Sequence, residues 1–395
     1  MPDRNKYILL VITLIVFALV IFAIVLLTEP EVKTKQSSLP EQLEQTLPRA
    51  LPSSTGSPSV NNTEEVANFD TVNMPAPFKG INCLPMSNEQ LIEDGRQLET
   101  SLLTLDTPEA IQMLAITGFQ QTTVDTETEK PTYEQLMKTR LARLEAVMND
   151  NPDNKLVSYH LVDTCAAMPK HPSCSAQMLN RAIALDGSNG ALWANIAAIN
   201  LSSHQAKAAL GALELSATAP EFNDYRPERL TLFVNVLALS GLHQGLNLIA
   251  AIGFDAAIPV NGTSYLFSFC NQSSVERDDI TQVCLKFGER LARDANNYML
   301  SKTGLEIQKK IYLQLKDELA LSKITKQIKI LNKEMSEAYF DDSLLFNNQG
   351  FSDYWLLAMQ NYNELDANKL VKKEADRITS DPDYEPCPGF NSDLQ

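Results

Sequence analysis

From residue 83 onward, apolar residues recur every three or four positions, and the single-step alternation that marks a strand is rare. The spacing predicts helices near 87–104, 107–119, 131–149, 154–167, 173–185, 189–202, 205–219, 227–240, 280–296, 303–338, 351–361 and 365–379. Breakers fall between them: Asn151-Pro152-Asp153, Pro169 to Pro172, Asp186-Gly187-Ser188, Pro220, Gly253 and Asn261-Gly262. Short loops between helices of this length imply antiparallel hairpins. The fold class expected for residues 81–395 is therefore all-α.

Two segments depart from this pattern. Tyr7 to Leu27 holds no charged residue, and only Tyr7 and Thr13 are polar. As a helix it would reach about 30 Å, the thickness of a bilayer's hydrocarbon core. A transmembrane anchor is expected over 7–28, after a short head at 1–6. A cleaved signal peptide would have a shorter apolar run ending in small residues. Here the run ends Ile24-Val25-Leu26-Leu27-Thr28-Glu29-Pro30, so the anchor is expected to stay attached. Residues 29–80 then change composition, with Pro30, Pro40, Pro48, Pro52, Pro58, Pro75 and Pro77 among Ser, Thr, Asn and Glu. Such a segment buries too little apolar surface to order itself and reads as a disordered tether, with a mean reach on the order of 40 Å.

Within the helical region, 131–260 is repeat-like. Tyr159 and Trp193 begin similar stretches at an offset of 193 − 159 = 34. The same offset pairs Val162 with Ile196, Ala166 with Asn200, Leu179 with Leu213, and Ala182 with Ser216. Trp193, Ile196, Ala197 and Asn200, followed by Ala209, Leu213, Ser216 and Pro220, fit a 34-residue helical-hairpin motif. Residues 156–221 thus resemble two tetratricopeptide repeats. Ala197 and Asn200 depart from that family's usual Gly and Tyr, and the register is lost after Glu221. The resemblance implies a groove lined by the first helix of each hairpin. Its positions here are Val157, His160, Thr164, Ala191, Ala194 and Ala198, of which His160, Thr164, Ala194 and Ala198 are the candidate ligand-binding residues. They are mostly small and uncharged, unlike the basic clamps that hold carboxylate tails.

The six cysteines are Cys83, Cys165, Cys174, Cys270, Cys284 and Cys387, and no two are spaced C-x-x-C. An even count without a redox or zinc spacing points to disulfides. Cys165 ends one expected helix and Cys174 begins the next, so a bridge across that turn is expected. Cys270 with Cys284 is a second hairpin-local pair if the second helix starts near Asp279, which with Gln282 would form a capping-box-like pair. Cys83 and Cys387 remain to staple the ends of the domain. Lys and Arg are nearly balanced on the two sides of the anchor, so the disulfides decide the orientation. The expected location is the inner membrane, single-pass, with the N-terminus cytoplasmic and the domain periplasmic.

The formal net charge of −16 sets the surface against phosphate backbones, so no nucleic-acid partner is expected. There is no phosphate-cradling G-x-x-x-x-G-K, no G-x-G-x-x-G and no G-x-S-x-G elbow. The histidines His160, His171, His204 and His243 form no metal-ligand spacing and are expected as helix-surface or capping residues. Asp278-Asp279 and Asp341-Asp342 read as capping and turn acids. Asn261-Gly262-Thr263 and Asn271-Gln272-Ser273 are glycosylation sequons. No catalytic residue, metal or cofactor is nominated. The stretch 303–338 carries Lys309, Lys310, Lys316, Lys323, Lys326, Lys329 and Lys333 opposite Ile307, Ile311, Leu315, Leu319, Ile324, Ile328, Leu331 and Met335. It reads as one long helix with a solvated basic face, or as a surface for an acidic partner.

Anchor, tether, repeats and missing catalytic motifs together lead to an expected function. The chain is read as a membrane-tethered helical scaffold, not an enzyme, that binds another envelope protein or peptide. The alternative is an envelope enzyme, hydrolase-like, whose site is assembled from distant helices.

Overall fold

A computed structural model describes residues 98, 100–118, 132–241, 244–273, 277–339, 342–382 and 384. All of these lie in the compact unit that runs from Val72 to Gln395. The expected anchor over 7–28, the tether over 29–80, His243, Asp341, Cys83 and Cys387 fall outside the described residues. Among the described residues the fold is all-α, and no helix is long and apolar enough to cross a membrane.

The helices are α1 (Pro108–Thr117), α2 (Tyr133–Asp150), α3 (Lys155–Ala167), α4 (Ala176–Asp186), α5 (Gly190–Ser202), α6 (Ala206–Thr218), α7 (Arg226–Leu239) and α8 (Gln244–Ala257). They continue as α9 (Asn261–Ser273), α10 (Asp278–Asp294), α11 (Tyr298–Gln314), α12 (Glu318–Glu337), α13 (Asp342–Asn347), α14 (Gln349–Asn361) and α15 (Glu364–Thr379). Most starts are written locally. The side chains of Thr107, Asn154, Ser175, Asn189, Asn297, Asp317, Asn348 and Asn363 each accept a backbone N–H of the helix they precede. Thr132 and Gln135 close a reciprocal capping box at the start of α2.

Both expected hairpin bridges are formed. Cys165 pairs with Cys174 and Cys270 with Cys284, each at a Cα–Cα distance of 5.6 Å. Cys174 sits in a short 3-10 turn, Pro172–Cys174, ahead of α4. The Cys165–Cys174 bridge closes a loop of separation 9 and contributes about 2.5–3 kcal/mol in the chain-entropy model.

Several expectations are corrected. The stretch 303–338 is not one helix but the α11–α12 hairpin. Lys316 takes a left-handed φ of 56° and Asp317 caps the new helix through Ala320 N–H. Leu315 and Leu319 prolong the apolar spacing across this turn, yet both are solvent-exposed. The interval between residues 240 and 280 contains α8 and α9. Gly253 does not break α8, which is held by the burial of Leu248, Ala251 and Ile258 around it. Asn261-Gly262 is not a turn but the start of α9. The N-cap of α10 is Arg277, whose side chain makes no cap bond, and Asp279 pairs with Arg277 instead of capping.

The main core is one continuous cluster that includes residues of α1 to α11 and of α13 to α15. α5 sits at its centre and packs on α3, α6 and α9. The α5–α6 hairpin rests on α10 through α6, and α10 packs closely along α11. That approach is set by two glycines: a Cβ on Gly304 would lie 2.5 Å from the Gly288 carbonyl oxygen. α7 pairs with α8 and turns to α14 and α1 rather than stacking on α5. α12 belongs to a separate small cluster of Leu305, Ile324 and Ile328.

Candidate functional site

The positions proposed to line a groove lie on α3 and α5, but no groove remains there. Val157, His160, Thr164, Ala191, Ala194 and Ala198 are all buried. α9 packs on both α3 and α5. Asp163 of α3 caps α9 from outside, accepting from Gly262 N–H at 3.0 Å and Asn261 Nδ2 at 3.5 Å. Carboxylates are favoured at a helix N-terminus, so the local glycine signal that suggested a turn is resolved by a tertiary cap. Thr164 spends its hydroxyl on the His160 carbonyl at 2.7 Å. Asn261, the acceptor of the Asn261-Gly262-Thr263 sequon, is also buried, and its Oδ1 accepts from Tyr133 Oη at 2.5 Å.

His160 is not on the surface as expected. Its Nδ1 lies 3.3 Å from Arg140 Nη2 and its Nε2 lies 3.3 Å from Arg229 Nη1. Guanidinium groups only donate, and a neutral imidazole offers one lone pair, so only one of these contacts is a full hydrogen bond. Burial, with Arg229 and Arg140 alongside, holds the His160 pKa well below the usual imidazole value. Burial likewise lowers Arg140, whose Nε and Nη1 have no hydrogen-bond partner among the described residues. The Asp163 carboxyl is raised by burial, against the pull of Arg140 and its hydrogen bonds to Gly262 and Asn261. Tyr133 turns an exposed ring outward and its hydroxyl inward, where burial and Asp163 push its pKa up to about 12.

The polar centre extends through α7. Arg229 pairs with Asp255 of α8 at 2.5 Å, and Arg226 pairs with the same carboxylate at 3.0 Å. Arg226 also holds Glu364 of α15 at 2.6 Å, and Glu364 in turn accepts Tyr298 N–H of α11 at 2.8 Å. Burial opposes the charge on Arg226, but Glu364 and Asp255 outweigh it and raise its pKa. One chain of side chains thus ties α2, α3, α7, α8, α9, α11 and α15. His160 and Asp163 are sealed inside it, so they order helices and do not meet solvent.

A second polar node fixes the start of α5. Asp186 accepts from Asn189 and Tyr225, each at 2.8 Å, and Trp193 donates to the Gly187 carbonyl at 2.8 Å. Glu221 pairs with the same turn through its backbone, its N–H donating to the Ser188 carbonyl and its carbonyl accepting from Gly190 N–H, while Asn189 bonds the backbone of Asn223 in both directions. His171 accepts from Ser173 N–H, the capping role expected for it. His204 occupies an exposed left-handed turn position, φ 60°.

Surface concavities lie elsewhere. One of about 230 Å³ adjoins the first disulfide and is lined by Glu145, Ser158, Ser173, Met178 and Arg181 among others. A larger and more open one, about 450 Å³, runs between α10, α11 and α12. Ala292, Leu305, Ile330 and Leu331 supply its apolar lining and Glu289, Arg293, Gln308, Gln327 and Glu334 its polar lining, with Leu305 and Gln308 buried and Ile330 exposed. The sequence hid this groove because it exists only once 303–338 folds back on itself. Its one advance sign is Ile330, an aliphatic residue among the lysines. Among the described residues, no three His, Cys, Asp or Glu side chains converge to hold a metal ion.

No protein-family model, curated protein or solved structure matches this chain.

Proposed function

We propose that the chain is a membrane-tethered, extracytoplasmic helical scaffold that binds another envelope protein or peptide. The observation that carries this reading is the open groove between α10, α11 and α12, lined by four apolar and five polar residues. A partner's helix or extended segment seats in such a groove by apolar anchors, and the polar groups set its register. The apolar segment 7–27 and the tether behind it supply the membrane attachment, and the two disulfides are compatible with an oxidising compartment. The resemblance of residues 156–221 to tetratricopeptide repeats fits the same picture. In this chain the first-helix face of those hairpins is taken by α9, so binding moves to the far side of α10.

The enzyme alternative draws on Asp163, a carboxyl with a raised pKa. That group is 4% exposed and both of its oxygens face helix α9, so it meets no substrate. The scaffold reading is the stronger.

The test places a photo-crosslinking amino acid at Gln327 or Ile330 in the full chain in its native cells, with Glu109 on α1 as a distant control. A discrete adduct from the groove positions, absent from the control and abolished by Leu331→Asp, is expected. Adducts no different from those at Glu109 would reject the groove as the binding surface.

A further inference from the structure

We propose that the α11–α12 turn and the outer strip of α12 rest on an anionic bilayer surface. α12 is the least embedded long helix. Of its 20 residues only Ile324 and Ile328 are buried. Opposite them, Leu319, Lys323 and Lys326 follow at i, i+4 and i+7 and share one outward strip. Leu319 is 85% exposed, and Leu313 and Leu315, beside it at the turn, are 55% and 51% exposed. These three leucines belong to neither buried cluster, and burying them elsewhere would stabilise the chain.

The lysines around them are uncommitted. Lys310, Lys316, Lys323 and Lys326 are exposed and form no ion pair among the described residues. This contrasts with Lys309 and Lys333, which pair with Glu306 and Glu337. On a chain of net charge −16, the strip is a local basic site. Two acids sit at the turn: Asp317, turned onto Ala320 N–H as a cap, and Glu318.

Leucines projecting from a turn, ringed by long-stemmed lysines, have the composition of an interfacial anchor. The aliphatic groups enter the headgroup boundary while the ammonium groups reach phosphate. The same charge separation orients the domain, since the acidic remainder is repelled by the surface that attracts the strip. An acidic protein would satisfy the lysines but leaves the protruding leucines unexplained, so the bilayer is the better occupant. This inference concerns the turn and the first half of α12, which adjoin the groove at Lys326, and does not depend on the groove's partner.

The test is hydrogen exchange on the full chain in detergent and in two nanodiscs, one of phosphatidylcholine and one with a third phosphatidylglycerol. In the phosphatidylglycerol discs, peptides spanning 311–326 should exchange about tenfold more slowly than in phosphatidylcholine. Peptides from the groove-lining part of α10 should not change. Leu315→Ser with Leu319→Ser, or Lys316→Gln with Lys323→Gln and Lys326→Gln, should abolish the protection. All are exposed positions, and an unchanged circular dichroism spectrum verifies the fold. Equal exchange in all three environments would overturn the proposal. So would protection that follows protein concentration in detergent, which would assign the face to a second copy, or protection produced by polyglutamate and not by phosphatidylglycerol.

Discussion

Helices α5 and α12 are both regular, both capped by a side chain at their first turn, and held in opposite ways. Nine of the 13 residues of α5 are buried, and it is enclosed by α3, α6 and α9. α12 is longer, buries two residues, and leans mainly on α11 through a three-residue cluster that the main core does not include. Local hydrogen bonding is as good in one as in the other. What differs is how much of the domain must open for the helix to leave. For α5 that is nearly everything, whereas for α12 it is the packing on α11 and a slighter contact with α15. Stability within a domain varies in this way, and binding elements are drawn from the low end.

The largest way to break this comparison is at the polar centre. Asp163→Ala removes the acceptor for Gly262 N–H and Asn261, and leaves Arg140 buried without its nearest compensating charge. A loss of about 3–5 kcal/mol is expected, because an uncompensated buried partner is far costlier than the pair was worth. It should appear as a shift of the denaturation midpoint with the slope retained. A loss below about 1 kcal/mol would show that α9 is not held by this cap.

A smaller global effect is expected at the edge. Ile324→Ala with Ile328→Ala strips the seat of α12. The main unfolding transition should stay within about 1 kcal/mol, while amides of 318–337 exchange tens of times faster in native conditions. If the whole domain instead weakens cooperatively, α12 belongs to the same folding unit as α5 and the contrast is void.

The smallest effect sharpens the comparison from within the centre. The folded-state pKa of His160 is depressed below 6.5, so its contribution is fully present above that value. As pH falls below 6.5, the unfolded chain takes a proton that the folded state refuses, and stability is lost down to the folded pKa. Stability should therefore fall as the pH is lowered from 7.5 to 5.5. His160→Gln should remove that part of the slope. A slope that persists unchanged in the variant would mean His160 is protonated in the fold.

Much of the helical architecture was legible in the sequence, because caps and periodicity act over three or four residues. The Cys165–Cys174 and Cys270–Cys284 pairs were legible for the same reason, since both span a single turn. What was not legible depends on distant partners. The start of α9 is decided by Asp163, and Asn261-Gly262 reads as a turn without it. The α11–α12 turn was masked by Leu315 and Leu319, which continue the apolar spacing although solvent surrounds them. The candidate positions His160, Thr164, Ala194 and Ala198 lie on the faces of α3 and α5 that the repeat pattern marks, but no local signal announced that neighbours from α2, α7 and α9 would bury them. The buried arginines and His160 are equally opaque, because polar residues on a helix read as surface until the neighbours are known.

The cap between Asp163 and Gly262 joins residues 99 apart in the chain. A ribosome adding about 5–20 residues per second finishes α3 several seconds before the residues that will cover it exist. For that interval α3 and α5 can pair with each other but expose the side meant for α9. Non-local closure of this kind is also slow once the chain is complete. For those seconds the nascent chain shows a face that the finished molecule buries.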